Sequence, residues 1–244
     1  MPYSKPGSRA AQRLEAVGKQ IIPSPVDQDP STLFNTADMA LPSTRRIVTG
    51  HDENGKSIFL SDERLNPASP LHGDGTPPAP TVPGFTLIGK TSGLPDTSVN
   101  DVSFTDLHGT RQDLSDDAGV TCRLVTFPPQ PKDVPEEVNF MHRTQSWDVG
   151  VVLEGRVMLK LDTGEEREVG AGEVVVQRGT NHAWRNSSAE NCRMLFVLVP
   201  SVPIKNRTTG EVLPPTDTKH LTTEEGAKEV IAKMVAQVAA RGQH

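Results

Sequence analysis

Apolar and polar positions alternate along several short segments of the chain, and this alternation is the main structural signal in the sequence. Val157, Leu159 and Leu161 alternate with Met158 and Lys160, and a period of two residues is typical of a half-buried β-strand. Short apolar runs predict further strands at 85–90, 122–127, 173–177 and 193–199. The last run is almost wholly apolar, so we expect this strand in the centre of a sheet.

Turn signals separate these strands. A β-hairpin is predicted over 45–60, because Asn54-Gly55 supplies the positive φ of a tight turn between two strand-like segments. Residues 66–84 are rich in proline and glycine, which predicts an irregular surface loop. Several short strands separated by glycine turns are typical of a sandwich or barrel. We therefore predict an all-β barrel domain over 45–205.

The two ends of the chain lie outside this predicted barrel. Residues 1–44 are predicted to form an N-terminal arm, and 206–244 a C-terminal extension with an amphipathic helix over 222–241. Thr222 and Glu225 make a capping box at its start. One face of this helix carries Ala227, Val230, Ile231, Met234, Val235 and Val238. Such a stripe favours packing against a core or a second subunit, so we expect a homodimer.

Charge and hydropathy exclude several classes of protein. The 244 residues include 25 Lys and Arg against 31 Asp and Glu, a formal net charge of −6, which argues against nucleic-acid partners because these need a basic surface. No apolar run approaches the ~20 residues of a membrane span, and the N-terminus lacks the apolar core of a secretory signal. Two cysteines, Cys122 and Cys192, are too few for a disulfide scaffold. We predict a cytoplasmic protein that does not contact membranes.

Two of the seven histidines, His142 and His182, lie in or beside the dense β region. If the chain around the first is extended, Thr144 and Asp148 share a face with His142, and Trp184 shares a face with His182. A closed barrel would bring the two segments together. The sequence has no glycine-rich phosphate loop after a strand, so we expect no nucleotide, flavin or pyridoxal cofactor.

The spacing of these residues resembles the paired signature of the cupin superfamily. The first motif is carried by His142, Thr144, Asp148 and Gly155, and the second by Gly172, Gly179, His182 and Asn186. The resemblance implies a jelly-roll β-barrel, and it is strongest to small single-domain cupins of fungi and bacteria, some of them encoded beside natural-product pathways. Because cupins host many chemistries, the fold alone does not imply a reaction.

The resemblance also implies a metal site with an incomplete ligand set. A full cupin site uses three histidines and a glutamate, whereas this chain offers His142, Asp148 and His182, with Thr144 in place of the second histidine. Two imidazoles and a carboxylate can hold one divalent ion, and Zn, Fe, Mn and Ni are not separated by ligand type alone. An iron oxygenase is one hypothesis for this set.

A metal-free interpretation stands beside it. Asp148 could orient His182 as a general base or acid, with His142 in the opposite role, or it could instead cap a turn or pair with Arg143 or Arg123. Such groups suit decarboxylation, dehydration, isomerisation or cyclisation of a small enolisable substrate in secondary metabolism, which would make the protein a lyase or isomerase. A barrel that binds a metabolite without reaction is the third hypothesis.

Four further predictions concern substrate binding. Trp184 could stack on a flat ligand, and Trp147 could either flank the site or pack in the core. Arg123 could bind a carboxylate through a bidentate pair of hydrogen bonds, although an exposed arginine is the ordinary outcome. Thr144, on the face of His142, is the fourth predicted contact.

Overall fold

The computed structural model describes residues 41–70, 72–79, 81–111, 113–115, 118–130 and 140–217. The predicted arm up to residue 40 and the predicted helix 222–241 lie outside these described residues. No helix in the described part of the chain is long and apolar enough to cross a membrane.

The regular secondary structure of the described chain is almost entirely short antiparallel strands, as the alternating pattern predicts, with one 3-10 helix over Ser98–Asn100. The strands are β1 (Thr44–His51), β2 (Ser57–Leu65), β3 (Gly84–Lys90), β4 (Thr121–Phe127), β5 (Ser146–Glu154), β6 (Arg156–Leu161), β7 (Glu166–Gly170), β8 (Val174–Arg178), β9 (His182–Arg185), β10 (Cys192–Pro200), β11 (Ile204–Lys205) and β12 (Val212–Leu213). The predicted hairpin is confirmed as β1 and β2, with Gly55 in its turn at φ +76°.

Two sheets form the body of the fold. The larger has the order β3-β4-β10-β5-β8, and the smaller has the order β7-β6-β9. Strand β10 lies between β4 and β5, which confirms that the most apolar run occupies the centre of a sheet. In this register Leu198 of β10 lies opposite Asp148 of β5 on one side and Thr121 of β4 on the other.

Side chains from both sheets fill the space between them. The buried cluster consists of Val125, Phe127, Val152, Val157, Val169, Trp184, Cys192, Met194, Phe196 and Leu198. Phe196 fits because Gly150 lies opposite it: a Cβ on Gly150 would come within 2.9 Å of the Phe196 ring. Cys192 has no exposed surface, and Cys122 is partly buried; both are free thiols.

Candidate functional site

His142 and His182 are brought side by side by a backbone bridge. The amide of His142 donates to the carbonyl of His182 at 2.8 Å, and the amide of His182 donates to the carbonyl of His142 at 2.9 Å. The two ring centroids are 4.3 Å apart. Forty residues of sequence thus separate two imidazoles that are in contact, as the paired motif predicts.

Main-chain carbonyls fix the orientation of both rings. Nδ1 of His142 lies 2.9 Å from the carbonyl oxygen of Phe140, and Nδ1 of His182 lies 3.0 Å from that of Thr180. Since a carbonyl only accepts, each Nδ1 carries the hydrogen, and each Nε2 of the neutral ring holds a lone pair. Neither Nε2 has a hydrogen-bond partner among the residues that the structure describes.

Burial keeps both imidazoles neutral. It lowers the pKa of His182, and it is the largest cause of the lowering of the His142 pKa to about 3, with smaller contributions from the charges of His182 and Arg123. A buried ring resists taking up a proton because the charged form loses its hydration. The pair is therefore a set of two unprotonated nitrogen bases at neutral pH.

Asp148 lies on the inner face of the larger sheet. It is 2% exposed, and its Oδ2 accepts a hydrogen bond of 3.2 Å from the Thr144 hydroxyl. Its Oδ1 and the nearby side-chain nitrogen of Gln177, opposite it in the register, are buried without a hydrogen-bond partner in the described residues. Burial raises the pKa of Asp148, while the Thr144 hydroxyl and the charge of Arg123 oppose that rise.

Arg123 is buried in the same interior. Only 6% of its surface is exposed, and it donates from Nη1 to the carbonyl of Asp113 at 3.2 Å and from Nη2 to the carbonyl of Leu114. The guanidinium lies over the Phe85 ring, 5.1 Å from its centroid. Burial lowers its pKa to about 10, so the side chain still carries its charge at neutral pH.

The two tryptophans have different surroundings. Trp184 is buried, and its ring makes edge contacts with His182, at 6.0 Å between centroids, and with Phe196, at 5.8 Å. Trp147 has the opposite parity to Asp148 on β5, so it lies on the outer face of the sheet with 43% of its surface exposed. The structure thus brings Trp184, but not Trp147, to the histidine pair.

The donor atoms of His142, His182 and Asp148 match only part of the metal site that the motif implies. The two Nε2 lone pairs suit a divalent ion, and the hydrogen bonds at Nδ1 are of the kind that orient ligating histidines. Oδ2 of Asp148, the predicted third ligand, accepts a bond from Thr144, while its Oδ1 has no partner in the described residues. Over the described ranges, no three His, Cys, Asp or Glu side chains are grouped so that they could hold a metal ion. The predicted metal stays a prediction, and no step below depends on it.

Two polar residues of this interior were missed by the sequence analysis. Gln177 ends the run Val174-Val175-Val176, and its parity with inward-facing Val175 was an available signal. His108 lies in a loop and lines a small cavity next to Arg123. No local pattern marks a loop histidine, because its neighbours are set by tertiary contacts.

The fold and the paired motifs together define a cupin domain. A family model described as "Cupin domain" matches residues 123–198, which span β4 to most of β10 and include both histidines. The chain belongs to the cupin family.

Its fungal relatives include a biosynthesis cluster protein and cupin-domain-containing oxidoreductases. The chain is 35% identical over 176 residues to "Phomopsin biosynthesis cluster protein C'" of Diaporthe leptostromiformis, covering 70% of this chain and 86% of that protein. It is 30% identical over 164 residues to "Cupin-domain-containing oxidoreductase virC" of Hypocrea virens, covering 66% of this chain and 78% of that protein. It is 34% identical over 160 residues to "Cupin-domain-containing oxidoreductase fogC" of Aspergillus ruber, covering 63% and 71%.

Proposed function

We propose that this protein is a biosynthetic enzyme that moves a proton on a small, enolisable organic molecule, with the Nε2 atoms of His142 and His182 as the proton carriers. One observation supports this above all: two neutral imidazoles are in contact, and each has its Nδ1 hydrogen bound to a main-chain carbonyl. A base held in one tautomer and one orientation is what proton abstraction requires.

The reaction begins when the C–H bond next to a substrate carbonyl breaks. Its electron pair moves to the carbonyl oxygen to give an enolate, and a new N–H bond forms at Nε2 of one histidine. The imidazolium is poorly solvated in this interior and lies beside a second imidazole, so it returns the proton readily. Return to a different carbon completes an isomerisation, and return to a departing hydroxyl completes a dehydration.

Arg123 has a separate role in this scheme. Its positive charge already acts on His142, so it would also act on a negative oxygen that develops near that ring. A fixed positive group stabilises an enolate more than it stabilises the neutral ketone, which lowers the barrier to proton abstraction. Asp148 would tune this positive charge, since its own charge acts on Arg123.

Oxidoreductase chemistry is the second candidate, and the names of two relatives favour it. The free Nε2 lone pairs supply two of the ligands that a non-haem iron site needs. Metal analysis of protein purified without chelator, followed by an oxygen-uptake assay, separates the candidates. Iron together with oxygen uptake supports the second, and full activity in metal-free protein supports the first.

The first test follows exchange of substrate hydrogens. In D2O, α-keto and β-keto acids (pyruvate and acetoacetate as first probes) are incubated with the protein, and loss of the C–H signal is followed by NMR. We expect His182→Ala to slow enzymatic exchange by about a hundredfold or more. His51→Ala, at an exposed strand end, is the matched control and should leave the rate unchanged.

A barrel that only binds its ligand would also show the backbone bonds at Nδ1. Equal exchange rates in wild type and His182→Ala, with the fold retained by circular dichroism, would therefore remove the catalytic proposal. Ligand binding without any turnover would then favour the binding hypothesis.

A further inference from the structure

A small cavity lies at the Arg123 side of the interior, apart from the histidine pair. Its volume is about 20 Å3, enough for one small polar group and too little for a whole metabolite. It is lined by Ala68, Ser69, Pro70, Phe85, Leu87, His108, Gly109, Thr110 and Arg123. The lining is thus largely apolar, with a few polar groups that can set the orientation of a ligand.

The guanidinium of Arg123 is the charged group of this cavity. A guanidinium has five N–H donors, and the Asp113 and Leu114 carbonyls each take one. No carboxylate forms an ion pair with Arg123 in the part of the chain that the structure describes. A buried positive charge without an ion-pair partner is costly, and an anion in the adjoining cavity would relieve that cost.

His108 adds a second, neutral group to the cavity. Its Nε2 lies 2.9 Å from the carbonyl oxygen of Asn66, so Nε2 carries a hydrogen, and Nδ1 of the neutral ring is an acceptor. This Nδ1 is buried and has no hydrogen-bond partner among the described residues. Buried acceptors are rarely left unpaired, so this nitrogen fits a ligand that brings a hydroxyl or amine hydrogen.

The loop that carries His108 is held in place by an ion pair between buried Arg46 and half-exposed Asp106. Arg46 contacts Asp106 at 2.7 Å, and Oδ1 of Asp106 accepts the backbone N–H of His108 at 2.9 Å. Arg46 itself is buried and also pairs with Glu63. The position of His108 is thus tied to the β1–β2 hairpin, and an acceptor fixed in this way can discriminate between ligands.

We propose that this cavity is the head-group subsite for an α-hydroxy or α-amino carboxylic acid, with the carboxylate on Arg123 and the neighbouring hydroxyl or amine donating to Nδ1 of His108. The assignment rests on the proposed function, since it names the class of acid on which the histidine pair would act.

The test uses head-group probes and measures binding alone. Glycolate, acetate and glycolamide are titrated into the wild-type protein while the side-chain Nε–H signal of Arg123 is followed by ¹⁵N NMR, with Arg123→Lys used to assign that signal. We expect glycolate to shift the signal saturably, acetate to bind about tenfold more weakly, as one lost hydrogen bond of ~1.4 kcal/mol implies, and glycolamide to give no saturable shift.

The matched variants are His108→Phe and His51→Phe. His108→Phe should reduce glycolate affinity to that of acetate, and His51→Phe should bind both as wild type does. If Arg123→Lys does not fold, the wild-type titration and the comparison of His108→Phe with His51→Phe still test the assignment. Equal binding of glycolate and acetate, displacement by equimolar chloride, or an unmoved Arg123 signal would each overturn the assignment.

The glycolate titration can reject the subsite without rejecting the proposed reaction, and the exchange assay can do the opposite. His182→Ala should bind glycolate as wild type does, because His182 does not line the cavity. Normal glycolate binding together with unchanged hydrogen exchange in His182→Ala would reject the proposed reaction and keep the subsite. Absence of saturable glycolate binding in the wild type, together with slowed hydrogen exchange in His182→Ala, would reject the subsite and keep the reaction.

Discussion

Each face of the five-stranded sheet departs at a few positions from the ordinary distribution of side chains. On the inner face, Arg123, Asp148 and Gln177 are buried among apolar groups. On the outer face, the edge strand β8 exposes 58% of Val174 and 52% of Val176, next to Trp147.

The buried polar groups of the inner face and the exposed apolar groups of the outer face differ in their effect on stability and in what they indicate about function. Buried polar groups without full hydrogen bonding reduce stability, so their presence indicates a ligand or a reaction inside. Exposed apolar side chains that lie together mark a surface for contact. The comparison favours the proposed reaction on the inside of this sheet and the predicted homodimer on its outside.

The largest expected contrast comes from shortening one apolar side chain on each face. Met194→Ala on the inner face should lower the free energy of unfolding by about 3 kcal/mol, because Met194 is fully buried and the variant leaves a cavity. Val176→Ala on the outer face should change it by less than about 0.5 kcal/mol in dilute monomeric protein. Urea denaturation of both variants measures the difference, and equal losses would contradict the contrast.

The histidine pair should make stability depend on pH. The folded pKa of His142 is about 3, below the ordinary value near 6.5, so the unfolded chain binds a proton first as the pH falls. Stability from this group is complete above about pH 6.5 and is lost toward pH 3, by about 2 kcal/mol at pH 5.

A matched variant isolates that contribution. His142→Asn should flatten the dependence of unfolding free energy on pH between 7 and 5, measured by urea denaturation at each pH, relative to the control His51→Asn. An equally steep dependence in His142→Asn would show that other groups cause it.

Much of the fold could be predicted from the sequence because strand alternation is a local property. The hairpin, the central position of β10 and the contact of His142 with His182 all follow from periods, turns and motif spacing. The contact of Asp148 with Thr144 agrees with the same alternation, although regular strand β5 begins only at Ser146.

The burial of Arg123 and the position of His108 could not be predicted from the sequence. An arginine between Cys122 and Leu124 is compatible with either face of a strand, and its burial depends on the loop at 113–115 that supplies carbonyl acceptors. His108 is placed by Arg46, which is sixty-two positions earlier in the chain. Such long-range contacts leave no periodic signature.

The smallest expected effect on the folded monomer concerns the outer face. If a second copy packs there, Val176→Glu should shift sedimentation velocity profiles from dimer to monomer, while unfolding free energy of the dilute protein changes by less than about 0.5 kcal/mol. Ser57→Glu, on an exposed position of β2, adds the same charge elsewhere and should not alter the profile. A dimer that persists in Val176→Glu would place the interface on another surface.

The reciprocal amide bonds between His142 and His182 also give a reporter that needs no substrate. Both amide hydrogens are tied to the partner's carbonyl, so the rate at which they are replaced by deuterium measures how often the two segments separate. A variant that slows the reaction but leaves these two exchange rates unchanged has altered the chemistry, whereas one that accelerates them has loosened the frame that carries both rings.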